Sequence, residues 1–255
     1  HMYFDCERNY SNGYDLMKGS YLGPYYSDKE ILLTNKKFKA VFKYYNSFEE
    51  LSNKVAKLIS DGNVIGWFQG RSEFGPRALG NRSILADPRN PKMQKKLNLK
   101  IKFREGFRPF APSVLEEDYS KYFEGNILSP YMLMVKKVRS TVKLGLPKNY
   151  WTMSYWNKLY AKRSKLQSIT HVDFSSRIQT ISNKTNYRYW NLINDFKKLT
   201  GVGVLVNTSF NVRGEPIVNS PDDAFKCFMN TEIDYLVIGN YLYSKKNQTI
   251  KYERQ

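Results

Sequence analysis

Apolar positions recur along this chain with two different periods, and the switch between them marks out most of its elements. At Ser47-Phe48-Glu49-Glu50 a hydroxyl is followed three residues later by a carboxylate, a capping-box pattern. Leu51, Val55, Leu58 and Ile59 then fall on one helical face, and Gly62 closes the helix. Ser27 with Glu30 predicts an earlier, shorter helix after the turn at Tyr21-Leu22-Gly23-Pro24. Residues 64–68 are a continuous apolar run of strand length and read as a buried strand. Residues 92–99 predict a short basic helix and 110–115 a strand; 129–138 read as a strand with its charges at one end.

The C-terminal third is patterned more sharply. Tyr189, Leu192, Ile193, Phe196 and Leu199 make a helical stripe ended by Gly201. A strand follows over 202–206, with a loop over 207–214. Ser220-Pro221-Asp222-Asp223 predicts a helix start, with an N-cap, proline at its first position and acids in its first turn. Residues 235–238 and 241–243 read as strands joined by the turn Gly239-Asn240. Strands and helices mix without strict alternation, which predicts an α/β (α+β) fold, a sheet with helices against it. Residues 1–45 read as an N-terminal appendage or linker and 46–255 as the principal domain. Residues 140–168 carry no clear period and read as an insertion or lid.

Composition narrows the class. The chain has 255 residues, 41% hydrophobic, with 20 Tyr and 15 Phe, which suits a folded protein with a sizeable core. No stretch approaches the roughly 18 apolar residues of a membrane span, and no signal-peptide pattern opens the sequence. His1-Met2 reads as a remnant of cloning. Cys6 and Cys227 make no disulfide framework, and with His171 as the one other histidine they make no structural zinc site. The expected compartment is therefore a reducing cytoplasm. The net charge is +18, which points to polyanionic ligands or partners. Residues 89–108 hold eight basic residues and one acid, and no acid occurs between Glu124 and Asp173. There the lysines interleave with Tyr131, Tyr150, Trp151, Tyr155, Trp156 and Tyr160, a mixture that can grip single-stranded nucleic acid.

Candidate chemistry concentrates in the run Gly70-Arg71-Ser72-Glu73-Phe74-Gly75-Pro76-Arg77-Ala78-Leu79-Gly80-Asn81-Arg82-Ser83. Glycines let backbone approach a ligand, and arginine offers a planar fork of donors to phosphate or carboxylate. This stretch, continued through Ile84-Leu85-Ala86-Asp87-Pro88-Arg89, resembles the signature of the C-terminal domain of the O-carbamoyltransferases. Those enzymes decorate antibiotics and nodulation factors. Similar matches follow in order at 102–113, at Thr170-His171-Val172-Asp173, at Arg177-Ile178-Gln179-Thr180 and at 207–216, so the resemblance spans roughly 21–243. Lys102-Phe103-Arg104 and Ser209-Phe210-Asn211 further resemble the Lys-x-Arg and Ser-x-Asn motifs of the wider YrdC group, implying a YrdC-like twisted mixed sheet flanked by helices.

The resemblance implies a reaction: carbamoyl phosphate and ATP, the latter with Mg²⁺, yield carbamoyl-adenylate and pyrophosphate. It implies Lys102 and Arg104 on triphosphate and carbamate oxygens, with Thr208, Ser209 and Asn211 on phosphate or ribose. Arg71, Arg77, Arg82 and Arg108 are the expected carbamoyl phosphate contacts. His171 would touch carbamoyl phosphate or move a proton as it breaks down, and Arg177 would hold the departing phosphate. Lys102, Arg104 and His171 are thus the catalytic candidates. Glu73 is expected to orient an arginine. Phe174 stands where the resemblance implies glycine. The family's N-terminal carbamoyl-transfer domain carries histidine metal ligands; no such pattern occurs here, so transfer to the acceptor would need that separate domain or subunit. Two further readings are a basic RNA-binding module and a non-catalytic partner subunit, the second opposed by the intact Lys102, Arg104, Ser209 and Asn211.

Overall fold

In the computed structural model, residues 10–11, 14–15 and 17–248 are described, so Cys6 and His1-Met2 lie outside them. A two-stranded ribbon, β1 (Tyr10–Ser11) with β2 (Tyr14–Asp15), precedes everything else. The principal sheet has nine strands: β3 (Lys43–Tyr44), β4 (Ile65–Phe68), β5 (Arg82–Ala86), β6 (Ala111–Leu115), β7 (Met134–Lys137), β8 (Ser175–Ile181), β9 (Val204–Ser209), β10 (Tyr235–Ile238) and β11 (Tyr241–Ser244). Their order is β3-β11-β10-β4-β5-β9-β6-β8-β7. The pairs β4–β10 and β6–β8 are parallel and the rest antiparallel, so the expected mixed α/β architecture is present.

Alternation of side chains splits the apolar strand residues between two faces. Ile65, Trp67, Leu85, Leu205 and Val237 pack beneath α2 (Phe48–Ser60) and α6 (Tyr187–Thr200). Phe68, Ile84, Ala86, Val206 and Ile238 face α1 (Asp28–Lys37) and α7 (Pro221–Met229). On that second face Gly66 is required: a Cβ there would stand 2.7 Å from Cζ of Phe210. Thr34 Oγ1 donates to Asp222 Oδ1 at 2.5 Å, tying α1 to α7, and β3 joins the sheet through β11. Residues 28–44 therefore share the body of the sheet.

The predicted helix starts hold where side chain and backbone reciprocate. Ser27 with Glu30 and Ser220 with Asp223 both form capping boxes. Ser47 caps α2 by accepting from the amides of Glu49 and Glu50, but its hydroxyl donates to the Glu49 carboxylate, so the expected box with Glu50 is not closed. Leu51, Val55, Leu58 and Ile59 are all buried, as are Tyr189, Leu192, Ile193 and Phe196 of α6; Leu199 instead faces solvent. The basic helix of 92–99 is shorter than expected: α3 (Met93–Lys96) runs into a π-turn at Leu97–Ile101, closed by Lys102 N–H on Leu97 O at 2.9 Å. The strand expected over 202–206 lies at 204–209, so Thr208 and Ser209 are strand residues. Among the described residues no helix is long and apolar enough to cross a membrane.

Candidate active site

Six strand ends meet at one end of the sheet: the C-terminal ends of β4, β9 and β10 and the N-terminal ends of β5, β6 and β11. The loop of 69–81 leaves β4 there and returns as β5. A carboxylate organises it. Glu73 Oε1 accepts from three backbone amides, Leu79 and Asn81 at 2.7 Å and Arg82 at 3.2 Å. It thus orients backbone, not the arginine partner expected for it. Gly80 adopts φ +109°, and a Cβ there would fall 2.1 Å from the ring of buried Tyr189. Only glycine lets the loop lie that close to α6.

The arginines of this run have separate tasks. Arg82 is fully buried on β5 and lies over the Phe68 ring at 3.5 Å. Its guanidinium donates to carbonyls of Pro24, Gln69, Gly70 and Asn81, at 2.6–3.3 Å. Burial pushes its pKa down to about 10. Arg71 donates to Gly23 O at 3.1 Å. Both tie the loop to residues 23–24, and neither is among the residues that line the nearby basic cavity. Arg77 does line it.

Beyond the π-turn, Phe103 at φ +47° reverses the chain and separates the two cations of its motif. Lys102 turns inward and is 3% exposed. Its ammonium donates to Ser209 O, to Ser209 Oγ at 3.1 Å, and to Asn211 O and Oδ1 at 2.9 and 2.7 Å. Burial, with Arg104 next, pushes its pKa down to about 7. The two sequence motifs thus bind each other directly. Arg104 is half-buried, held by Asn98 Oδ1 at 2.7 Å and stacked over Phe110 at 5.0 Å. Burial and Arg108 both oppose its charge. Arg108 pairs with Glu105 at 3.0 Å and does not reach the cavity wall.

Arg77, Arg104 and Arg177 converge on a cavity of about 180 Å³, together with Thr208 and Ser209. No carboxylate lines it. Arg177 arrives on β8 through its parallel pairing with β6, which sequence spacing does not reveal. Burial and then Arg77 lower its pKa, so the cations here feel one another. Asn211 stands behind Ser209, which donates to its Oδ1 at 2.8 Å, and supports the wall rather than forming it.

Pro109 is shared with a second, larger cavity of about 520 Å³. Phe107, Tyr155, Trp156 and Leu159 make its apolar walls, with Arg163 and His171 among its polar residues. The otherwise unreadable segment 140–168 thus supplies α5 (Tyr155–Tyr160) as a cavity wall. Arg163 is buried, donating to Thr170 O at 3.2 Å and to the carbonyls of Lys158 and Leu159. Burial lowers the His171 pKa, Asp173 opposes this, and Arg163 and Arg177 lower it further, so the net shift favours the neutral imidazole. Phe174 adopts φ +65°; the glycine expected there would hold this left-handed conformation without strain.

Two lining residues were missed in the sequence. Asn207 opens the matched run 207–216 with no role implied for it, and Arg163 lies in a segment with no readable period.

Residues 56–245 match the family described as "Carbamoyltransferase C-terminus". An uncharacterised Synechocystis protein is 54% identical over 250 residues, covering 97% of this chain and 40% of its own length. Nodulation protein NolNO of Sinorhizobium fredii is 47% identical over 201 residues, 78% of this chain and 27% of its own. The 3'-hydroxymethylcephem-O-carbamoyltransferase of Amycolatopsis lactamdurans is 36% identical over 193 residues, 76% of this chain and 32% of its own. This chain therefore spans at most 40% of these relatives' length. Among solved structures, full-length HypF in a phosphate- and nucleotide-bound form aligns with TM-score 0.44 and 16% identity, over 84% of this chain and 23% of that one. By the family match over most of its length, and by relatives of this identity, the chain belongs to the carbamoyltransferase C-terminus family.

Proposed function

We propose that this chain is the ATP- and carbamoyl phosphate-binding half of an O-carbamoyltransferase, making carbamoyl-adenylate for transfer by a separate N-terminal domain or subunit. The observation that carries this reading is the cavity in which Arg77, Arg104 and Arg177 converge with Thr208 and Ser209 and no acid. Such a site offsets the mutual repulsion of a triphosphate and a carbamate held side by side. The larger cavity suits a purine, with Phe107 and Trp156 available to a flat ring. His171, in the wall of the larger cavity with its pKa lowered by burial, can accept a proton.

The chemistry balances as follows. Carbamoyl phosphate loses phosphate to water, and an oxygen of the resulting carbamate attacks the α-phosphorus of ATP. The bond from that phosphorus to the β-bridging oxygen breaks, and pyrophosphate leaves with the electron pair. Arg104 and Arg177 stabilise charge on the phosphates, while Lys102 holds residues 209–211 in place. Among the described residues no His, Cys, Asp or Glu cluster suits a metal. Mg²⁺ would therefore be held by the nucleotide's phosphates and water.

The test is pyrophosphate release from Mg-ATP with and without carbamoyl phosphate. Release that requires carbamoyl phosphate and disappears in Arg104→Ala is the expected result; ATP binding without release would assign the half-reaction to the longer protein. Failure to bind ATP would sink the enzymatic reading. Exposed Trp151, Tyr155 and Trp156 beside the lysines favour a second reading, binding of single-stranded RNA, which steeply salt-dependent RNA affinity without nucleotide binding would bring forward.

A further inference from the structure

One buried amide oxygen in the wall of the basic cavity is unaccounted for. Asn207 lines that cavity on β9 and is 1% exposed. Its Nδ2 donates to Gln179 Oε1 at 2.8 Å and to Ala78 O at 3.2 Å. Both acceptors are themselves fixed. Gln179 Nε2 donates to Leu79 O at 2.7 Å, and Ser113 Oγ donates to Gln179 Oε1 at 2.6 Å. Turning the Asn207 amide over would set its oxygen against two other oxygens, so its orientation is determined by the network. Asn207 Oδ1 is left buried without a hydrogen-bond partner.

A buried acceptor without a donor is destabilising, and native proteins rarely leave one without a reason. The surrounding cavity attracts anions, yet this one group repels them and asks for a neutral donor. Carbamoyl phosphate has both features, an anionic phosphate and an amide N–H₂. We propose that Asn207 Oδ1 accepts a hydrogen bond from the carbamoyl amide and so selects carbamoyl over other acyl phosphates. This rests on the activated half-reaction proposed above and adds a specificity residue to it. Acetyl phosphate is the natural probe: it has nearly the same shape, with a methyl group in place of the amino group. A methyl set against Oδ1 would leave that oxygen unpaired, so discrimination of about 10- to 100-fold is expected.

The experiment measures binding of carbamoyl phosphate and of acetyl phosphate to the full chain by calorimetry, with a non-hydrolysable ATP analogue present. Wild type should prefer carbamoyl phosphate by at least tenfold, and Asn207→Leu, checked for a cooperative thermal transition, should lose most of that preference. Equal affinity of wild type for both would overturn the role of Asn207 while leaving the half-reaction standing. A folded Asn207→Leu that keeps the preference would overturn it too. If wild type binds neither acyl phosphate, the half-reaction falls and the assignment falls with it. Should Asn207→Leu fail to fold, the wild-type comparison alone still decides against the proposal when the two probes bind equally.

Discussion

Replacing Lys102 by methionine separates what the buried ammonium does for stability from what it does for the site. Lys102→Met keeps the length and much of the volume of the side chain and removes four contacts to Ser209 and Asn211. Two effects oppose at pH 6.5. Loss of the donor leaves Asn211 O unpaired, about 1–3 kcal/mol, while Ser209 O keeps the Asn211 amide at 3.0 Å; removal of a buried charge returns a comparable amount. The variant should therefore melt within about 5 °C of wild type at that pH and yet bind ATP poorly, because residues 209–211 lose their anchor. The dependence on pH is sharper. The unfolded lysine keeps its proton to about 10.5, whereas the folded one releases it near 7. Between these values the unfolded state binds more protons, so this lysine makes wild-type stability rise with pH across that window. At about 1.4 kcal/mol per unit, the wild type gains on the order of 4 kcal/mol over Lys102→Met between pH 7 and 10. Urea unfolding of both proteins at pH 6.5, 8 and 9.5 measures the difference directly. Parallel stability profiles, or undiminished ATP binding by the variant, would refute this account of Lys102.

Other substitutions test the rest of the site. Glu73→Ala leaves three amides of the 69–81 loop without their acceptor and should cost about 3–5 kcal/mol, lowering Tm by roughly 6–15 °C in calorimetry; Glu73→Gln retains Oε1 and should lose less than half of that. Gly80→Ala meets Tyr189 at 2.1 Å with φ at +109°, so urea unfolding should show a loss above about 3 kcal/mol; a loss under 1 would contradict the packing described. Arg77→Gln and Arg177→Gln should each weaken ATP binding about tenfold at low salt, and the double variant should flatten its dependence on salt concentration.

How far the sequence could be read follows from the range of the interactions involved. Caps and turns are local, so Ser27 with Glu30, Ser220 with Asp223 and Gly239-Asn240 announce their elements directly. The strand β5 was hidden because it opens with Arg82, and a fully buried arginine has no signature in its own segment; its acceptors lie at Pro24, Gln69, Gly70 and Asn81. Likewise Arg177 was legible as a basic residue in a matched motif, but its meeting with Arg77 and Arg104 depends on the β6–β8 pairing across more than sixty residues. Leu199 fits the helical stripe by spacing yet is exposed in the last turn of α6. Family resemblance located the motifs; it did not distinguish Lys102, spent on holding Ser209 and Asn211, from Arg104, which reaches the cavity.

The three amides that converge on Glu73 Oε1 have one last consequence. A ring of backbone N–H groups in a glycine-rich loop is ordinarily a receptor for phosphate, but here the loop carries its own anion and is already saturated. Its shape then does not wait on substrate, and little ordering entropy remains to be lost when substrate arrives. In the reaction proposed above, capture is left to Arg77, Arg104 and Arg177, of which Arg104 is already held by Asn98 and Phe110, so polyphosphate binding should follow the ionic strength around it.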